Sequence, residues 1–319
     1  MEVIQVFDRS AFQSFYSIAG RLLVIESHDR ELRNLIVDLF AGWQLTPVSL
    51  PDRSPDIRIS LSFTEAQQSV PRDLDQFEIA EGGKCYTGAT ELYLEIGSAL
   101  IHLENGSPVS VEVSFSELPR EGDSLLGRVV SFAVCAALRR CGLFEMHSAG
   151  VVEPESGNGV LIIGPSGSGK STLALELVKA GWSYLSDDEL LLSLVEGVVE
   201  ARGFRSFFAV SEAGSRLKHC FEPEHVLGSK RTDHAVPGLL LFIHLNGSSR
   251  SVISTLTQPE TMTRLLRSCP WATYDKSIAS ANLELLSTLV RQARGFDLSA
   301  GRDLLDPGFA NSFLSAVPS

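Results

Sequence analysis

The segment Gly159–Thr172, GVLIIGPSGSGKST, constrains this chain more than any other stretch. It fits G-x-x-x-x-G-K-[ST] without a mismatch, running Gly164, Pro165, Ser166, Gly167, Ser168, Gly169, Lys170, Ser171, with Thr172 behind it. Its surroundings matter as much as the pattern. Val160–Ile163 is a continuous apolar run, as a strand buried on both faces requires. Leu173–Ala180 has helical spacing, and Gly181 is placed to stop that helix. Strand, loop and helix therefore follow in the order a phosphate-binding loop needs. Gly164, Gly167 and Gly169 open turns closed to other residues and let backbone amides approach oxygen closely. Those amides and the following helix N-terminus make an anion nest. Lys170 is placed to reach the β- and γ-phosphates of a nucleoside triphosphate, and Ser171 to offer a hydroxyl to Mg²⁺. ATP with Mg²⁺ is the expected cofactor.

A second cluster follows the helix. Trp182–Asp188, WSYLSDD, turns from apolar to acidic at Asp187-Asp188. It lies one βαβ unit beyond the loop, so its strand is expected to end at the same sheet edge, bringing both carboxylates to the phosphates. Adjacent strand residues face opposite ways. One aspartate is then available to the metal and the other to an acceptor hydroxyl, the two tasks phosphoryl transfer demands. Leu190–Val195, Glu196-Gly197 and Val198–Ala201 next read as a hairpin where an ordinary doubly wound fold has a helix. The expected fold is an α/β P-loop domain with a mixed parallel and antiparallel sheet.

A smaller α+β domain precedes it. Arg21–Glu26, Ile57–Phe63, Glu91–Ile96, Ala99–Glu104 and Val109–Phe115 carry strand signals. Asp29–Trp43 is spaced as an amphipathic helix. Pro119, Gly122 and the charges of Ser116–Ser124 set the expected boundary, giving domains 1–118 and 119–319. Leu125–Leu138 reads as an apolar helix ending at Arg139-Arg140.

Of the 319 residues, 44% are hydrophobic and 21% charged, ample for a globular core, and the formal charge is -12. Such an acidic surface repels phosphate backbones and anionic lipid, so neither nucleic acid nor membrane is expected as a partner. The five cysteines are odd in number and lack any Cys-x-x-Cys pair, which argues for free thiols in a reducing cytoplasm. No signal peptide is read at the N-terminus.

Taken together, Met146–Val152 (MHSAGVV, with His147), Gly164–Thr172, Leu175–Gly181 and Ser186-Asp187-Asp188 resemble the HPr serine kinase/phosphorylase family. That family belongs with phosphoenolpyruvate carboxykinases among P-loop proteins of mixed sheet topology. The resemblance is specific over 143–190 and does not reach the N-terminal module. It implies ATP and Mg²⁺ in the loop, an Asp-Asp pair supplying the catalytic base and a metal or histidine partner, and His147 against that pair. Which of Asp187 and Asp188 is the base stays open; the metal ligands expected are Ser171 and Asp188. The glycine- and asparagine-containing C-terminal signature of the bifunctional enzymes is missing, and Ser280–Arg294 reads instead as a helix with Leu283, Leu286, Leu289 and Val290 on one stripe. The likeness therefore stops short of the phosphorylase reaction and of HPr as acceptor. It is closer to the broader HPr-kinase-like set, some of which phosphorylate serine in other acceptors, including peptides from biosynthetic clusters. The family often forms oligomers, so a homo-oligomer is compatible with this likeness.

Other cations are candidates for phosphate contact. They are Arg205 in Gly203–Phe208, and Lys230 with Lys218 and Arg231 in the polar stretch Gly214–Pro237, which has the character of a closing lid. Cys269–Asp275 reads as an aromatic packing corner. The expected activity is ATP-dependent phosphorylation of a hydroxyl, with serine of a protein or peptide as acceptor. Two alternatives are a kinase for a free amino acid or sugar, and a nucleotide-gated binding module without transfer.

Overall fold

The computed structural model describes residues 12–40, 42–49, 51–64, 69–79, 82–117, 119, 124–206, 208–211, 218–221, 231–306 and 308–309. The chain divides into two compact units. One is Met1–Ala41 with Leu45–Cys141; the other is Gly42–Gln44 with Gly142–Ser319.

The first unit contains β1 (Phe12–Ile18), β2 (Arg21–Ser27), α1 (Arg30–Phe40), β3 (Thr46–Val48), β4 (Ile57–Phe63), β5 (Asp75–Ile79), β6 (Gly83–Thr87), β7 (Glu91–Ile96), β8 (Ala99–Glu104), β9 (Val109–Phe115) and α2 (Ser124–Arg140). Its strands form one nine-stranded sheet in the order β3-β1-β2-β4-β9-β8-β7-β6-β5. The pairs β2–β4 and β4–β9 are parallel. Alternation decides which face is covered: Ile57, Ile59 and Leu61 of β4 and Val109, Val111 and Val113 of β9 are buried. Helix α2 packs on β4, β8 and β9 with Leu126, Val129, Val130, Ala133 and Ala137 buried. This packing moves the division from the 118/119 boundary that composition suggests to Cys141/Gly142.

The second unit contains β10 (Phe144–Met146), β11 (Ser148–Val152), β12 (Gly159–Ile163), α3 (Lys170–Lys179), β13 (Ser183–Ser186), β14 (Leu190–Val195), β15 (Val198–Gly203), β16 (Phe208–Ser211), β17 (Lys218–Phe221), β18 (His234–Ala235), β19 (Pro237–Leu245), β20 (Val252–Leu256), α4 (Gln258–Ser268), α5 (Trp271–Tyr274), α6 (Ala279–Gln292) and β21 (Arg294–Ala300). A six-stranded mixed sheet has the order β13-β11-β12-β19-β21-β20, and a four-stranded antiparallel sheet the order β10-β14-β15-β18. The expected hairpin is β14–β15. Its turn residues Glu196 and Gly197 both have positive φ, 50° and 82°.

Strand β12 shows why its sequence is apolar throughout. Leu161 and Ile163 enter one core with Leu265, Leu285, Leu286 and Leu289 of the C-terminal helices. Val160 and Ile162 enter the opposite core with Leu173, Ala174 and Leu177 of α3. Each such side chain contributes about 1.5–3 kcal/mol through burial, so the strand is fixed in register by both faces. Helix α6 covers most of Ser280–Arg294 but ends at Gln292, with Arg294 opening β21, and its buried stripe is Asn282, Leu285, Leu286, Leu289 and Val290. Leu283, expected on that stripe, is exposed. Strand β21 runs parallel to β19 and lies inside the sheet, with β20 at the edge.

Candidate functional site

Strand directions bring the site together. β11 is antiparallel to both β12 and β13, so β12 and β13 point the same way on either side of it. The loop leaving Ile163 and the acidic turn leaving Ser186 emerge at one sheet edge. His147, immediately before Ser148, enters β11 at that same edge, where Ser148 pairs with Ile163. The sequence had suggested a shared edge for loop and aspartates; the interposed antiparallel strand is what also delivers the histidine.

The loop is tight where its glycines stand. A Cβ on Gly164 would lie 2.5 Å from the Ile243 carbonyl oxygen and 2.6 Å from Ser168 Oγ. Gly167 and Gly169 have φ of 79° and 97°, values that side-chain-bearing residues rarely adopt. Gly169 is also the N-cap of α3 and offers no side chain to the first-turn amides. The Ser168 hydroxyl is buried with no hydrogen-bond partner among the described residues. A short polar cradle with an unsatisfied hydroxyl, at an uncapped helix start, fits an anion with several acceptor oxygens. Pro165, Ser166 and Gly167 are exposed, and Ser171 and Thr172 half-buried, so the cradle opens to solvent.

Lys170 is buried and folded back onto this loop. Its ammonium donates to the carbonyls of Gly164 (2.8 Å) and Pro165 (3.2 Å) and lies 3.0 Å from His147 Nε2. On the far side of the imidazole, His147 Nδ1 lies 3.3 Å from Asp188 Oδ1. The carboxylate favours a proton on Nδ1, which leaves the Nε2 lone pair to accept from the ammonium. Lys170, His147 and Asp188 thus form one chain of alternating donor and acceptor.

The two aspartates sit in different surroundings. Asp187 is buried, while the Asp188 side chain is half-exposed. Asp188 has φ of 70°, and the Glu189 amide donates to the Asp187 carbonyl at 2.9 Å, closing a three-residue turn around it. A left-handed non-glycine residue is strained by about 1–2 kcal/mol and persists where its surroundings impose it. They do so here through Ser186. Its hydroxyl donates to the Glu189 carbonyl (2.6 Å) and accepts from the amides of Phe204 (3.2 Å) and Arg205 (3.0 Å).

Behind the turn stands a second layer that the sequence did not announce. Arg205 pairs with Glu189 and lies over the Trp43 ring, 4.6 Å from its centroid. Gln44 donates to the carbonyls of Leu185 (3.0 Å) and Arg205 (2.7 Å). Burial pushes the Glu189 carboxyl above the usual carboxylate range; Arg205 draws it back, and Glu145 and Asp188 push it further up. Arg205, expected to meet phosphate, is therefore engaged in bracing the acidic turn. Lys230 lies outside the described residues, and so do the side chains around it at 207–229. Arg231 makes an isolated bridge with Tyr184. No local sequence signal marks Trp43 and Gln44, more than 140 residues from their partners.

Among the described residues no cluster of three or more histidine, cysteine and carboxylate side chains forms a preassembled metal cage. Magnesium needs none, since it is held by one or two protein oxygens and substrate phosphates. Residues that could hold such an ion here are Ser171 with Asp187 or Asp188. The described cysteines Cys85, Cys135, Cys141 and Cys269 form no disulfide. Among the described residues no helix is long and apolar enough to cross a membrane.

No protein-family model matches the chain, and no curated protein matches it. Among solved structures, the HPr(Ser) kinase/phosphatase from Coxiella burnetii is similar over 54% of this chain and 93% of its own, with 14% identity and a TM-score of 0.34.

Proposed function

We propose that this protein is an ATP-dependent kinase that transfers the γ-phosphate to a hydroxyl, with serine of a protein or peptide as acceptor. The observation that carries the reading is the convergence of the glycine-rich loop, His147 and Asp187-Asp188 at one sheet edge, linked through Lys170. Mg·ATP, when bound, supplies the electrophilic phosphorus and neutralises charge on its phosphates. The loop amides and the start of α3 hold the phosphate oxygens. Lys170 exchanges its loop carbonyls for phosphate oxygens, and His147 Nε2 keeps the ammonium directed toward the loop.

Exposure divides the carboxylates. Asp188 is reachable from solvent, so an acceptor hydroxyl meets it first, and we assign it as the group that orients or deprotonates the nucleophile. His147, holding a proton on Nδ1, fixes the carboxylate's direction. Asp187 is left with Ser171 as the Mg²⁺ pair, the reverse of the expectation that gave Asp188 to the metal. The Ser186, Glu189 and Arg205 bracing holds the strained turn, as catalytic geometry requires.

Separate substitutions test the division. Asp188→Asn is expected to lower transfer about 10²–10⁴-fold with little change in Mg²⁺ requirement, the usual range for losing a general base. Asp187→Asn is expected to raise the Mg²⁺ concentration needed for half-maximal transfer. If Asp188→Asn alone moved the Mg²⁺ requirement, the two roles would be exchanged.

A further inference from the structure

A pocket of about 450 Å³ opens beside the loop on the side away from α3. Its wall includes His147, Gly164, Pro165, His244, Arg264 and Arg267. The first three also line the Lys170 cradle, so pocket and cradle share a wall. The size is that of a small-ligand cavity.

The charge in this pocket runs against the rest of the chain. The whole sequence carries -12, yet two arginines three residues apart on α4 line one cavity. That spacing puts both on one helix face. Arg264 pairs with Asp297 and lies 5.7 Å from the Phe242 ring centroid, so it is fixed against the floor. His244 Nδ1 also lies 3.7 Å from Asp297 Oδ1. Arg267 has an exposed side chain and no hydrogen bond or ion pair among the described residues. Asp297 thus pairs with Arg264, and the Arg267 guanidinium is left on the pocket wall with no ion pair among the described residues. Ile163, Phe242 and Ile243 supply apolar walls around it. A guanidinium pair on an apolar floor is suited to a planar or tetrahedral oxyanion attached to a small organic body.

We propose that this pocket is the acceptor subsite, and that the acceptor presents an oxyanion, a carboxylate or phosphate, to Arg267 and Arg264. This rests on the kinase reading, because it is the shared wall with Lys170 that puts a bound acceptor next to the transferred phosphate. The oxyanion can belong to a free small acid or to an acidic peptide.

The test is a titration of the full chain saturated with Mg·ADP. The probes are O-phospho-L-serine and a serine peptide blocked at both ends with a neighbouring glutamate. Binding of either probe to the ADP-loaded protein, weakened at least tenfold by Arg267→Ala and restored in part by Arg267→Lys, is expected. ADP affinity should stay within twofold in both variants. Binding of phosphoserine alone identifies a free acid as the source, and binding of the peptide an acidic segment. The proposal is overturned if neither probe binds the ADP-loaded protein. It is also overturned if a probe displaces ADP, or if Arg267→Ala leaves probe binding unchanged. ADP titrated first into the unliganded chain separates the two readings: ADP binding without probe binding sinks only the subsite, whereas no ADP binding sinks the kinase reading with it.

Discussion

Gly164→Ala isolates the loop's geometry from its chemistry. The backbone there is not left-handed, so the substitution acts through space alone. Ordinary contact begins at 3.4 Å; the new methyl would stand at 2.5 Å from the Ile243 carbonyl oxygen and 2.6 Å from Ser168 Oγ. The carbonyl must recede by 0.9 Å or the loop must. Ile243 belongs to β19, held between β12 and β21 by parallel ladders, so the loop yields. Overpacking of this kind costs about 1–3 kcal/mol. For a unit of this size that is a fall in Tm of roughly 2–12 °C. A cradle displaced by most of an ångström also loses its fit to phosphate, and ADP affinity is expected to drop at least tenfold, about 1.4 kcal/mol. Gly167→Ala is the control. Its methyl meets nothing within 4 Å, but its φ of 79° strains alanine; it should lower Tm with a smaller loss of affinity. Thermal melts and a fluorescent-ADP titration read both quantities. Unchanged Tm and ADP affinity within twofold in Gly164→Ala would refute the close-approach argument.

Three other outcomes follow from the same structure. Trp43→Ala removes a buried ring that packs on Phe204 at 4.8 Å and under Arg205, so a loss of about 3–5 kcal/mol is expected by denaturant melts, together with reduced transfer as the acidic turn loosens. Thr257→Ala breaks the capping box of α4, in which Thr257 accepts from the Glu260 amide and Glu260 accepts from the Thr257 amide, and should cost about 1 kcal/mol. The cap lowers the Glu260 carboxyl from its ordinary value, so its stabilisation is present above pH 4.5 and is lost as pH falls through the lower folded value; a pH series of melts should show the variant's deficit shrinking toward acid. Cys269 is pushed up to about 12 by burial, so it stays a neutral thiol at pH 8; iodoacetamide should leave it unmodified in the native protein and alkylate it after unfolding. Rapid native alkylation at Cys269 would contradict its burial.

Much of the fold could be read locally. Val160–Ile163, the glycine loop and the helix stopped at Gly181 are each specified by neighbours in sequence. Gly181 has φ of 100° and closes the helix end by donating to the Val178 carbonyl. The β14–β15 hairpin and the strand limits at Ile57–Phe63, Glu91–Ile96 and Val109–Phe115 were equally legible, because alternation and turn residues are short-range signals. What stayed hidden is non-local. Nothing in Ser148–Val152 says that it runs between β12 and β13 and so carries His147 to the loop. Nothing in Trp43-Gln44 says that it braces Arg205. The left-handed Asp188 follows from Ser186 bonding across the chain to Phe204 and Arg205, contacts a linear pattern does not contain. Nothing in the sequence around Arg264 and Arg267 marks the pocket that both line.

The most direct test of the kinase reading is phosphate transfer from [γ-³²P]ATP with Mg²⁺, comparing wild type with Lys170→Ala and Asp187→Asn against a serine-peptide pool and whole lysate. The account predicts a labelled serine acceptor with wild type, none with Lys170→Ala, and with Asp187→Asn labelling that returns only as Mg²⁺ is raised. Tight ATP binding by wild type with no labelled product in any pool would contradict it, and would leave a nucleotide-gated binding module as the better description.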